Sequence, residues 1–410
     1  MRGAPESGEL EALSGLFVRS LLRLILLIAL APFAVCGPAC AQTPFQTSAP
    51  YALLMDADTG SVLFEKSSDT PVTPASTAKI MTAELIFREL KEGRLKLDDE
   101  FTVSENAWRT GGAMARGSSM FAALNSRVRI EDLLRGLVIV SGNDAAIILA
   151  EGVAGSEQAF ADRMTKRAAE LGLPHLTFRN AWGKDDPGQK VTAREMALLA
   201  SHVIKTYPEY YRYFGEREFV WSKIKQQNRN PLLGMDFGAD GLKTGNIDEA
   251  SGYGLVGSAL QNGQRLILAV YGLRNAKDRS EEARKIMQWG FRSFESRAVL
   301  AAGEAVGSAR LYGGEQMNVS LVTAGPLRIL TPRGASERLT AKIVYQGPVM
   351  APVKDGTELA RLKIYRGAAL ALDAPLVAGE SISLGPLHRR AFDASLELGQ
   401  SLFRKYVLKQ

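Results

Sequence analysis

The chain has 410 residues, 46% of them hydrophobic, with 50 Lys and Arg against 44 Asp and Glu and a formal net charge of +6. That length suggests more than one domain, and so small a charge excess carries no argument for nucleic acid binding. Both cysteines, Cys36 and Cys40, lie ahead of residue 42, in a stretch that reads as an export signal, and His175, His202 and His388 stand far apart with no His-Glu-x-x-His helix, so neither a disulfide framework nor a catalytic metal is expected.

Arg19 and Arg23 precede an apolar run at residues 24–35, and Ala39-Cys40-Ala41 supplies small residues for cleavage. The run has the length of an export signal, not of a membrane span. Residues 1–41 are therefore predicted to be a signal peptide, with the mature chain starting at Gln42 and carrying no cysteine. Neither Cys36 nor Cys40 follows a convincing lipidation sequence.

Pro74-Ala75-Ser76-Thr77-Ala78-Lys79 reads as a helix start, because proline suits a first turn and Ile80, Met81, Ala83, Leu85 and Ile86 follow at helical spacing. Residues three apart share a helix face, so the Lys79 amine can reach the Ser76 hydroxyl. A serine is a weak nucleophile without an adjacent base. The positive end of a helix dipole, burial and a second cation would each favour a neutral lysine amine able to take that proton. The bland alternative is a capping serine with a surface lysine, but a lysine three residues after the cap is electrostatically wrong.

Residues 131–140 read as a buried helix running into Ser141-Gly142-Asn143-Asp144, which places a hydroxyl and a carboxamide at an element end. Standing alone, that tetrapeptide would read as a helix cap and turn. Lys243-Thr244-Gly245 precedes two predicted strands, residues 250–259 and 265–272, joined by Gln261-Asn262-Gly263-Gln264, a hairpin signal. A lysine and a threonine on an edge strand beside Ser76 would bind a substrate carboxylate and supply the second cation.

An amphipathic helix is predicted over residues 280–294. Beyond it the pattern shifts to short β-branched runs, with strands expected at 317–322, 327–330, 339–345 and 359–365. Residues 389–410 read as a cationic amphipathic helix with Phe392, Leu396, Phe403 and Val407 on one face. They carry five basic and two acidic residues, half of the net charge of the chain. Such a helix suits a membrane interface; packing on the β region is the alternative.

Together, the three motifs and residues 52–66, 74–82, 104–112, 125–144 and 252–258 resemble the D-alanyl-D-alanine carboxypeptidases. These are low-molecular-mass penicillin-binding proteins of the serine penicillin-recognising superfamily, peptidase family S11. The resemblance implies an α+β fold, with a β-lactamase/transpeptidase-like catalytic domain at 42–297 in which a helical cluster lies beside a helix-flanked antiparallel sheet. The strand pattern leads to the expectation of a small β-sandwich domain at 298–388, and the resemblance points to an anchoring helix at 389–410. It implies Ser76 as acylated nucleophile, Lys79 as base, and Ser141 and Asn143 for proton transfer and substrate positioning. Lys243, Thr244 and Gly245 would engage the substrate terminus, with the backbone N–H groups of Ser76 and Asn246 as oxyanion hole. Arg279 is the candidate for gripping the terminal carboxylate, Arg274 the fallback, and a solvated helix-start charge the plain alternative for both.

The implied activity removes the terminal D-alanine from peptidoglycan pentapeptide stems, with β-lactams as acylating inhibitors, no cofactor and no metal. The implied location is the periplasm, on the outer face of the inner membrane. Two departures stand out: Asn246-Ile247 where typical members carry His-Thr, and Ala181-Trp182-Gly183 where a family histidine is expected. A DD-endopeptidase would use the same residues. A β-lactamase would need a water-activating glutamate, for which Glu195-Met196-Ala197-Leu198-Leu199 is a poor candidate. A non-catalytic wall-binding or morphogenesis protein is the third alternative.

Overall fold

The computed structural model describes residues 45–247, 252–334, 338–367 and 369–395. The predicted signal at 1–41 and the tail beyond residue 395 lie outside the described residues. Residues from Thr47 onward form one compact unit.

Two antiparallel strands, β1 (Tyr51–Asp56) and β2 (Val62–Lys66), open the fold and lead through a 3-10 turn (Ala75–Ala78) into helix α1 (Lys79–Lys91). The short pair β3 (Glu100–Thr102) and β4 (Arg127–Arg129) precedes α2 (Ile130–Val138), α3 (Asn143–Ala154), α4 (Glu157–Glu170) and α5 (Ala193–Thr206). A hairpin of β5 (Glu218–Trp221) and β6 (Ile224–Gln227) follows. Then β7 (Ala239–Ile247), β8 (Gly252–Gln261) and β9 (Gln264–Leu273) complete a five-stranded antiparallel sheet in the order β2-β1-β9-β8-β7. This order brings the first and last strands of the lobe together at β1 and β9 and leaves β7, with the Lys243 motif, at the edge.

Helix α6 (Ala276–Ser293) packs on one face of the sheet, burying Ala283, Ile286, Met287 and Phe291. The helices α1 to α5 share an apolar core with Leu242, Val256, Ile267 and Ala269 of the sheet. Helix α6 begins four residues earlier than its apolar periodicity predicts, because Asn275 caps it by accepting from the Asp278 N–H at 2.8 Å. The hairpin between β8 and β9 is tighter than expected. Both strands run on until only Asn262 and Gly263 remain, with φ of +50° and +77°, the paired left-handed conformation that favours Asn-Gly.

Among the described residues the C-terminal lobe contains eight strands, twice as many as its sequence suggests. Six of them form one sheet, and the other two pair apart from it. The four expected strands are β12 (Asn318–Thr323), β13 (Leu327–Pro332), β14 (Leu339–Val344) and β16 (Glu358–Arg366). The additional ones are β10 (Phe294–Leu300), β11 (Ala305–Tyr312), β15 (Val349–Met350) and β17 (Ala369–Ala378). Charged residues in β10, Gly307 in β11 and the Ala-rich, Pro375-bearing β17 hide their strand character, and pairing with neighbours overrides weak propensity. Side chains of both sheets, including Leu321, Ile329, Leu362 and Leu376, meet in one apolar core. Residues 387–395 are helical, and this helix start is tied to the lobe where the Gly313 N–H donates to Asp393 at 2.9 Å.

Candidate active site

The turn that carries Ser76 is pinned from two sides. A Cβ on Gly245 of β7 would lie 2.8 Å from the Pro74 carbonyl oxygen, and one on Gly183 would overlap the Ala75 carbonyl oxygen at 1.8 Å. Only glycine permits these approaches, and Gly183 also has φ of +88°. From below, Thr77 donates to the Pro74 carbonyl at 2.6 Å and pairs with the buried Tyr271 hydroxyl at 3.0 Å. Ala75 takes a left-handed φ of +48°, a strained state of the kind that collects at functional turns. Ser76 itself stays half-buried, so its hydroxyl remains open to a ligand.

Lys79 is the first residue of α1 and is fully buried. Its Nζ lies 2.9 Å from Ser76 Oγ, 2.8 Å from Asn143 Oδ1 and 2.8 Å from the Trp182 carbonyl oxygen. An ammonium donates to all three. A neutral amine has two N–H groups and one lone pair, and of the three neighbours only the Ser76 hydroxyl can donate. The two carbonyl oxygens therefore hold the amine hydrogens and aim the lone pair at Ser76. Burial lowers the Lys79 pKa well below its usual value, the nearby Lys243 lowers it further, and Asp144 opposes both.

Helix α2 ends at Val138, three residues before Ser141, whose φ is +66°. Asn143 does not close that helix as a turn residue: it is the first residue of α3, and its N–H donates to the Ser118 carbonyl at 2.8 Å. Ser141 and Asn143 are both buried between two helices that meet at the cleft.

Lys243 and Thr244 lie in β7, paired opposite Val256 and Leu255 of β8, and both are buried. Burial, followed by the charges of Arg279 and Arg229, pushes the Lys243 pKa down to about 7. Asn246 pairs opposite Tyr253 and is exposed. Arg279, in the first turns of α6, is only 8% exposed, unlike a solvated helix-start charge. Its guanidinium lies 5.6 Å from the centre of the Tyr253 ring and makes one long contact, 3.4 Å, to the Gly245 carbonyl. Its buried Nε has no hydrogen-bond partner among the described residues, which suits it to a carboxylate. Arg274 is different, being 87% exposed on its side chain and paired with Asp278 at 3.2 Å.

The sequence reading missed three contributors. The Trp182 carbonyl has no side-chain signature, but Asn180 beside it does. Its Oδ1 accepts from the N–H groups of Trp182, Gly183 and Lys184 at 3.3, 2.7 and 2.8 Å, an Asx turn that sets the carbonyl's direction. Arg229 follows the β5–β6 hairpin, with its N–H bonded to the Ile139 carbonyl at 3.2 Å, and its charge reaches Lys243. Glu195, the residue weighed for a water-activating glutamate, is engaged by His175 instead. It occupies the first turn of α5, where its N–H meets the Thr192 cap, and its carboxylate accepts from the N–H and Nδ1 of His175 at 2.9 and 2.6 Å.

Residues 38–275 match the family model for D-alanyl-D-alanine carboxypeptidase, and residues 294–383 match that for the penicillin-binding protein 5 C-terminal domain. The chain is 38% identical over 344 residues to the D-alanyl-D-alanine carboxypeptidase DacC of Escherichia coli (strain K12), covering 83% of this chain and 86% of the relative. It is 38% identical over 302 residues to D-alanyl-D-alanine carboxypeptidase DacA of Haemophilus influenzae, covering 73% and 76%. The solved structure of penicillin binding protein 5 from Haemophilus influenzae is similar, with a TM-score of 0.73 at 34% identity, covering 83% of this chain and 99% of that one. The chain belongs to the D-alanyl-D-alanine carboxypeptidase family of serine hydrolases, the family of penicillin-binding protein 5.

Proposed function

We propose that the chain removes the terminal D-alanine from peptidoglycan pentapeptide stems through an acyl-enzyme on Ser76. The observation that carries this reading is the Lys79 amine, buried beside Lys243 and held 2.9 Å from the Ser76 hydroxyl. Ser76 Oγ attacks the carbonyl carbon of the D-Ala–D-Ala amide as its proton passes to Lys79 Nζ. The backbone N–H groups of Ser76 and Asn246 stabilise the oxyanion, so the exchange of a side chain at Asn246 leaves that role intact. Ser141 relays the proton to the departing amine, D-alanine leaves, and water hydrolyses the ester.

Asn143 spends its Oδ1 on Lys79, which leaves Nδ2 to donate to a substrate amide. Lys243, Thr244 and Arg279 hold the terminal carboxylate. A β-lactam, whose strained amide mimics the dipeptide, acylates the same serine. The reaction draws on no cofactor or metal.

The protein is exported and acts in the periplasm, tethered to the outer face of the inner membrane by the cationic amphipathic sequence at 389–410. Among the described residues no helix is long and apolar enough to cross a membrane. Support for a surface tether comes from the amphipathic sequence of the tail and from Leu387 and Phe392 at its start, 77% and 57% exposed.

Release of D-alanine from a diacyl-Lys-D-Ala-D-Ala peptide by residues 42–410, compared with Ser76→Ala, tests the reading. Release that vanishes in the variant supports it. A folded wild-type protein that releases none overturns it and favours cross-link cleavage or a binding role.

A further inference from the structure

Asp144 is fully buried, and the proton relay described above does not use it. Its four hydrogen bonds all come from neutral donors. Oδ1 accepts from the N–H groups of Met120 and Ala145, each at 3.0 Å. Oδ2 accepts from Ser119 Oγ at 2.7 Å and the Ala122 N–H at 3.1 Å. Three of the four donors thus belong to one loop segment, 119–122, and the preceding residue, Ser118, receives the Asn143 N–H. The segment is fastened on both sides of the Asn143–Asp144 peptide, and the Ser119 carbonyl reaches on to Gln226 of β6 at 3.0 Å.

The residue just before this segment lies against the Asn143 amide: a Cβ on Gly117 would lie 2.9 Å from Asn143 Nδ2, so the segment carries that wall. Where the wall stands decides where that donor points. A buried carboxylate without a bonded cation is also a strong local field. Two charges act on the Lys79 amine, Lys243 from β7 and Asp144 from α3, while Ser76, Asn143 and the Trp182 carbonyl bond to it as neutral groups. Lys79 must hold the serine proton long enough to return it, and Lys243 alone would work against that.

We propose that Asp144 is a positioning residue for acyl transfer, its carboxylate clamping the 118–122 segment against Asn143 and serving as counter-charge to the Lys79 amine. The inference rests on Lys79 acting as the base. Removing the negative charge makes Lys79 easier to deprotonate, so the base form persists to lower pH.

The test is the pH profile of kcat/KM for D-alanine release by residues 42–410 carrying Asp144→Asn or Ser119→Ala. In Asp144→Asn the ascending acid limb moves to lower pH by about half to one unit, and kcat falls about tenfold or more as one acceptor becomes a donor facing donors. Ser119→Ala keeps the charge but loses the bond to Asp144 and the one that Ser119 Oγ accepts from the Phe121 N–H within the same segment, so kcat falls about threefold to tenfold and the limb stays in place. An unmoved limb in a folded Asp144→Asn protein overturns the counter-charge. If that variant does not fold, Ser119→Ala decides, since a wild-type rate or a shifted limb there overturns the clamp. A wild-type profile with no ascending limb at all would instead sink the lysine-base reading on which the inference stands.

Discussion

The C-terminal lobe and the catalytic lobe treat buried charge in opposite ways. Around Leu321, Leu362 and Leu376 the C-terminal core is apolar, and among the described residues of that lobe only Thr323 and Thr331 are buried polar side chains. Its ion pairs, such as Arg361 with Asp373 at 2.6 Å, lie at the surface. The catalytic lobe buries Lys79, Lys243 and Arg279 close enough for Lys243 to lower the pKa of Lys79 and for Arg279 to lower that of Lys243. Within the same lobe Glu84, equally buried, is paired with Arg167 at 3.0 Å and bonded to His202 and Tyr207. Glu84 has its partner beside it, whereas none of the three basic groups of the cleft has a bonded carboxylate among the described residues. Desolvating each one costs several kcal/mol, and that unfavourable electrostatic energy is concentrated where the chemistry occurs.

Substitutions that remove or restore this imbalance test the comparison. Lys79→Met should lower benzylpenicillin acylation by about a thousandfold or more, while a thermal melt shows an unchanged or higher Tm because a buried, poorly solvated amine is replaced by an apolar side chain of similar length. A Tm that falls by several degrees would mean that Lys79 is structural after all. Arg279→Gln should raise KM for a peptide with a free C-terminal carboxylate about ten- to a hundredfold, the worth of a charged hydrogen bond. The same peptide amidated at its C-terminus should show little change, and equal losses on both would remove Arg279 from carboxylate recognition.

Lys243 has its pKa lowered to about 7, so it is a cation below that pH and loses its charge above it. KM for the carboxylate peptide should therefore rise about threefold to tenfold between pH 6 and pH 8.5, as an ion pair is lost; a flat profile would assign the grip to Arg279 alone. In the other lobe, Leu321→Ala should destabilise by about 2–5 kcal/mol and leave kcat at 25 °C unaltered, because no site residue lies there. Smallest of all, Arg274→Ala should change KM by less than about twofold, as for an exposed ion pair.

The three motifs were legible because a serine, a lysine or an asparagine at those spacings announces itself in side-chain chemistry. Strands β8 and β9 were legible for a similar reason, with apolar runs on either side of Asn262-Gly263. Trp182 was not, since a backbone carbonyl contributes to the Lys79 site whatever side chain carries it. The burial of Arg279 was also hidden. Lys277-Asp278-Arg279 looks like a solvated helix start until β7 and Tyr253 close over one member of it. Strand β17 escaped because Ala, Asp and Pro have low strand propensity, and only its ladder with β16 makes it a strand. Propensity and periodicity report what a segment prefers alone, while these elements are defined by what they meet.

Gly183 and Gly245 close on the Ser76 turn through backbone atoms, and backbone atoms cannot rotate out of the way as a side chain can. Any substitution at either glycine therefore pushes the Ser76 turn itself, and it does so for the peptide and the antibiotic alike. Evolution has little room at these two positions to exclude a β-lactam while keeping wall trimming. Changes that separate the two ligands must arise farther out on the cleft, where the groups that each presents begin to differ.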